Sequence, residues 1–240
     1  MNAALSKLYL EFRKLKISLL VFICIGFSAV PFLITEVFLY FYRDELMGQP
    51  LAVITGNNVG SWSALLYPLF IIVLAQSIVE VERKGNLLHY ARSYRRHWMG
   101  LITRKALVIF SLLLTVTFLN IAFHALLIYS LKERMVAGDV SELMRADSQD
   151  FIRITVALIP LVFFHLMLAL LIQKSGIGYL VGMLLLVTGI PIINLTDLPI
   201  NPYSFGIASL KPGLGLHSIV LPGAVVILLS LVVADWGLKR

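Results

Sequence analysis

Six long apolar runs, separated by charged or Gly- and Pro-rich stretches, set the plan of this 240-residue chain. They fall at about 17–42, 60–80, 105–130, 152–173, 176–194 and 216–236. At ~1.5 Å of rise per residue, each is long enough to form a helix through a hydrocarbon core of about 30 Å. The pattern predicts an all-α integral membrane protein, six transmembrane helices in a single domain over 1–240. The fourth and fifth runs are joined tightly around Gln173–Gly176, and Gly176, Gly178 and Gly182 predict a close helix–helix approach. The first run continues to Tyr42, well past the roughly 7–15 residues of a signal h-region, so it reads as a retained span.

Three segments outside these runs are patterned too. In residues 2–16, Leu5, Leu8, Tyr9, Phe12 and Leu15 recur at helical spacing, with Lys7, Glu11 and Lys14 opposite them. This predicts an amphipathic helix over 1–16 lying in the membrane interface. In residues 81–98, Gly85 breaks the pattern after Glu80 and Glu82. Leu87, Leu88, Tyr90, Ala91 and Tyr94 then form an apolar and aromatic face, with Arg92, Arg95 and Arg96 among them. Two readings stand: a basic interfacial loop, or a short helix that docks into a groove on another protein. The third segment, 194–216, holds Pro199, Pro202 and Pro212 and is apolar for a solvated loop. It reads either as a partly re-entrant hairpin or as a loop folded over the outer surface.

Composition agrees with the pattern. Hydrophobic residues make up 59% of the chain, and the mean hydropathy is +0.91, whereas soluble domains run at roughly 45–50% apolar. The net charge of +7 would fit a nucleic-acid binder, but the basic residues cluster beside the spans, where they orient a protein and meet anionic lipid. Lys7, Arg13, Lys14, Lys16, Arg83, Lys84, Arg92, Arg95, Arg96, Arg104, Lys105, Lys174, Lys239 and Arg240 fall on one side. Arg43, Lys132, Arg134, Arg145, Arg153 and Lys211 fall on the other. Fourteen against six places both termini in the cytoplasm by the positive-inside rule.

Few residues offer chemistry. Glu36 is the lone charge between Lys16 and Arg43, and it is expected to pair with Arg43 or another helix, or to face a pathway. His124 and His165 lie in different spans and fall short of the three or four ligands that zinc takes, so both are expected to be hydrogen-bonded packing residues. Asp235 is expected to pair near Lys239 at the inner interface, and the single cysteine, Cys24, reads as a small buried side chain. There is no nucleophile–base constellation and no G-x-x-x-x-G-K-[ST] loop, so the chain is not expected to be an enzyme or to hold a cofactor or metal.

Taken together, the three patterned segments resemble the permease subunits of ABC transporters of the type-2, exporter-like class. Such permeases have an N-terminal elbow helix, six spans, cytoplasmic termini, a coupling helix between spans two and three, and a broken, Pro-containing hairpin before the last span. Glu82, Gly85, Asn86, Leu87, Arg96 and Lys105 match the family's first inner loop, although the proline expected near Tyr94 is absent. Asn201 and Pro202 are similar to its outer Asn-Pro element. The run from Glu82 to Asn86 looks most like bacterial permeases of peptide-antibiotic export or immunity systems.

The resemblance implies that Glu82, Gly85, Leu87, Leu88, Tyr90, Arg92, Tyr94, Arg95 and Arg96 couple the chain to a separate ABC ATPase, present in two copies and carrying the ATP and magnesium. It implies a second permease, as homodimer or heterodimer, in a bacterial inner membrane. Spans one, two and five would line the pathway, with Glu36, Asn201 and Pro202 as pathway or structural residues. The low charge of the spans favours an amphipathic or hydrophobic substrate, a peptide or a lipid. The rival readings are a non-transporting scaffold and an ion-coupled transporter; the latter would show midplane charges and internal repeats, which the sequence lacks.

Overall fold

The computed structural model describes residues 17–42, 50–84, 98–132 and 139–238. Among them there is no strand, and six helical rods are long and apolar enough to cross a membrane. The first is α1 (Ile17–Phe41). The second joins α2 (Leu51–Ser61) to α3 (Tyr67–Lys84) through a π-helical turn at Trp62–Leu66. The third is α4 (Trp98–Leu131), and the fourth joins α5 (Val140–Ala157) to α6 (Ile159–Leu171). The fifth is α7 (Ser175–Thr196); after the short α8 (Phe205–Leu210), the sixth is α9 (His217–Leu238). The interfacial helix expected over 1–16 lies outside the described residues.

Three rods start earlier than the apolar runs do, at Leu51 instead of 60, at Trp98 instead of 105 and at Val140 instead of 152. The added turns of α5 are polar, and those of α2 carry Thr55, Gly56, Asn57 and Asn58, which interrupt its apolar run. Local chemistry still starts them as helices: Pro50 precedes α2, and the Asp139 carboxylate accepts the Ser141 and Glu142 backbone N–H groups at the head of α5. The second, third and fourth rods are therefore about 50 Å long, some 20 Å more than a hydrocarbon core needs. Their far ends are joined by Leu51, Leu127, Ile128 and Leu131, with Phe32, Leu39, Val140, Leu143 and Met144 packed around them.

Proline shapes the interior of the rods. Pro68 has no N–H for an α-helical bond, and the chain widens just before it into the π turn, where Tyr67 N–H bonds to Trp62 C=O. The fourth rod bends at Leu158, two residues before Pro160. Gly223 of α9 sits on the Pro160 ring, where a Cβ would approach the ring carbon at 2.8 Å.

α3 is the central strut. Tyr67, Phe70, Ile71, Ile72, Leu74, Ala75 and Val79 are buried between its neighbours. α1, α7 and α9 lie outside and keep large apolar side chains exposed, among them Phe22, Phe38, Leu184, Leu195, Leu221 and Leu228. Such surfaces suit lipid or another apolar protein surface rather than water. α7 nonetheless approaches α3 and α6 closely. Its Gly178 faces Gln76, and its Gly182 faces His165 and Ile72. Gly176, expected to share this role, faces open space.

Candidate functional site

The start of α4 and the ends of α3 and α6 meet at one end of the bundle. Lys105 is fully buried there, and its ammonium lies 2.7 Å from the carboxylate of Glu82, which is itself buried. A charge pair taken out of water costs several kcal/mol per ion unless the partners meet well, so removing either one leaves an uncompensated charge. The neighbouring Arg83 guanidinium donates to the carbonyls of Ala169 and Ile172. Those carbonyls end α6 and have no helical partner of their own; the cation also suits the negative end of the helix dipole. Glu80 and Lys84 pair at 2.9 Å on the exposed side of α3. Three rods are thereby fastened together where the segment 85–97 leaves α3 and enters α4.

Of the residues expected to couple, Glu82 lies in this clamp. Gly85, Leu87, Leu88, Tyr90, Arg92, Tyr94, Arg95 and Arg96 lie outside the described residues, as does Asn86. Lys105, which entered the sequence argument as a motif position, is the buried partner of Glu82.

Farther into the bundle, the hairpin before α9 inserts between α6 and α7. Asn201 holds its tip: the side-chain carbonyl accepts the Tyr203 N–H at 3.0 Å, and the amide donates to the Leu185 carbonyl, midway along α7, at 2.8 Å. Gly189 makes room for that amide. Pro202, Tyr203, Ser204 and Phe205 are buried against the protein. The Tyr203 hydroxyl reaches Nδ1 of His165 on α6, and the Gln76 amide lies 3.5 Å from the other ring nitrogen. Lys211 ties the base of the hairpin to Asp197 and to the Ile193 carbonyl.

A second polar group links α3, α4 and α5. The Tyr67 hydroxyl donates to Thr117 and accepts from the Asn120 amide, both at 3.1 Å, and Thr117 meets Thr155 at 2.7 Å. One turn further along α4, His124 Nε2 bonds Asp147 of α5 at 2.8 Å. Both histidines are therefore hydrogen-bonded packing residues, as expected. Cys24 is buried, and the Ser130 hydroxyl donates to Glu36 at 3.4 Å, joining α1 to α4. No group of three or more potential metal-ligating side chains is present among the described residues.

Asp147 and Gln76 did not stand out in the sequence. Asp147 sits in a polar stretch whose helical phase is hidden, yet Leu143, Asp147, Phe151, Ile154 and Leu158 follow one face of a helix. An acid on that stripe needs a buried partner. Gln76 is one polar residue in an apolar run and carries no comparable signal. No family model, no curated protein and no solved structure matches this chain.

Proposed function

We propose that the chain is the membrane subunit of an ATP-driven exporter, moved by a separate ATPase that grips residues 85–97. The observation that supports this most is the Glu82–Lys105 clamp with Arg83 on the end of α6. A push on the segment between α3 and α4 would pass into three rods at once instead of being lost in one loose helix end. The basic and aromatic pattern of Tyr90, Arg92, Tyr94, Arg95 and Arg96 suits docking to a protein groove, and the positive-inside count favours its lying in the cytoplasm.

In this reading two permeases, identical or sister chains, pair through exposed apolar faces in a bacterial inner membrane. The cargo is an amphipathic or hydrophobic molecule, because the spans offer few charges. The chain is a mover and not a catalyst: ATP and magnesium belong to the partner.

The test is co-purification of the tagged full chain from its native membrane, with ATPase activity measured in the eluate. The wild type is expected to bring down a nucleotide-hydrolysing subunit, and Arg92→Glu with Arg96→Glu to lose it. Retention of that subunit at full stimulated activity would overturn the docking assignment. A bound subunit with no hydrolysis would favour a scaffold. Labelling of Tyr90→Cys by an impermeant reagent from outside the cell would reverse the orientation.

A further inference from the structure

Three buried polar atoms of this protein have no hydrogen-bond partner and line the same cavity: Ser28 Oγ on α1, Asn120 Oδ1 on α4 and His124 Nδ1 on α4. Their side chains are at most 5% exposed. The cavity holds about 10 Å³, room for one water molecule, and Phe32, Trp62, Phe123 and Phe151 help wall it. Left unmet, each polar atom would cost about 1–3 kcal/mol.

The surrounding bonds fix what the three atoms offer. The Tyr67 hydroxyl donates to Thr117, so its oxygen accepts from the Asn120 amide, and this turns the Asn120 carbonyl toward the cavity. Asp147 is an acceptor, so His124 carries a proton on Nε2, and in that tautomer its Nδ1 presents a lone pair. Ser28 has a hydroxyl proton to give. In that tautomer these three atoms show two acceptors and one donor, the complement of a single water that donates twice and accepts once; Asn58 also lines the cavity, with its amide donating to Thr35.

We propose that this cavity is a binding site for one structural water, held by Ser28, Asn120 and His124. The water joins the Tyr67–Asn120 group to the His124–Asp147 pair and fastens α1 to both. A resident cation fits worse, because the cavity atoms include no carboxylate and Asp147 lies on the far side of the imidazole. The site does not depend on what the chain transports.

The test uses the full chain in lipid nanodiscs with ¹⁵N-labelled histidine. His124 is expected to show protonated Nε2, unprotonated hydrogen-bonded Nδ1, and magnetisation transfer from a slowly exchanging water to its ring and to Ser28. A protonated Nδ1 with no water contact at any of the three side chains would overturn the proposal. Ser28→Val gives an independent reading by sign. If the site holds water, the added methyls expel it, orphan Asn120 and His124, and lower Tm. If the cavity is dry, they fill a void, and Tm holds or rises.

Discussion

Gly182 brings the backbone of α7 so close to the His165 ring that a methyl group in place of its hydrogen would lie 2.7 Å from Cε1. Four residues earlier, a Cβ on Gly178 would lie 2.1 Å from the Gln76 amide nitrogen. Neither neighbour has space to retreat, because both are fully buried. Gly182→Ala and Gly178→Ala are each expected to destabilise by about 1–3 kcal/mol through overpacking. Gly176→Ala meets nothing and should be neutral or gain up to about 1 kcal/mol from reduced unfolded-state freedom. Thermal unfolding of the three variants in one detergent separates a packed face from general helix preference.

The clamp at the other end of α3 predicts a non-additive pair. Glu82→Leu alone, or Lys105→Met alone, leaves a buried charge without its opposite and should cost about 3–5 kcal/mol. The double change Glu82→Leu with Lys105→Met removes both charges and should recover most of that loss. A double-mutant cycle on Tm that came out additive would show the pair contributes nothing as a unit.

Asn201 should govern access to the hairpin. Asn201→Ala deletes the bonds to Tyr203 N–H and the Leu185 carbonyl, and frees the tip. Ser209, in the α8 helix that follows the tip, is buried. In a Cys24→Ala background, which has no other cysteine, Ser209→Cys should resist a soluble maleimide and become reactive once Asn201→Ala is added. Tyr203→Phe should cost about 1–3 kcal/mol, because His165 Nδ1 loses its partner.

The head of α5 predicts a pH effect. The Ser141 hydroxyl, with the Glu142 and Ser141 backbone N–H groups, holds the Asp139 carboxyl below its ordinary value of 3.8. A lowered folded-state value means that the cap's contribution is complete above 3.8 and fades as pH falls through the lowered value. Deuterium protection of the Ser141 and Glu142 amides should therefore exceed that of Asp139→Asn at neutral pH and converge with it in strong acid.

The membrane-crossing plan was legible because hydropathy reports what faces lipid, and six runs are too long for anything else. What it could not report is where helices continue beyond the apolar runs. Residues 140–151 carry polar side chains that look like loop until Asp139 and the Leu143–Leu158 stripe are considered, and residues 51–59 are cut off from the apolar run by Gly56, Asn57 and Asn58. Glu82 and Lys105 were each visible as motif positions, but twenty-two residues of intervening chain hid that they touch. His124 was visible and its partner was not, since a carboxylate among many reveals burial only through helical phase.

The π turn at Trp62–Leu66 has a consequence for the numbering of the second rod itself. A π turn takes in about one residue more than an α turn, and each α-helical residue advances about 100° around the axis. The turn thus absorbs one residue, and the stretches before and after it keep a common phase: Asn58 and Trp62 on one side of it, Tyr67 and Phe70 on the other, all turn inward. Deleting a single residue between 62 and 66 would let the turn close to ordinary α-helical width with both halves still facing inward, whereas the same deletion elsewhere in the rod would swing one half about 100° against the other.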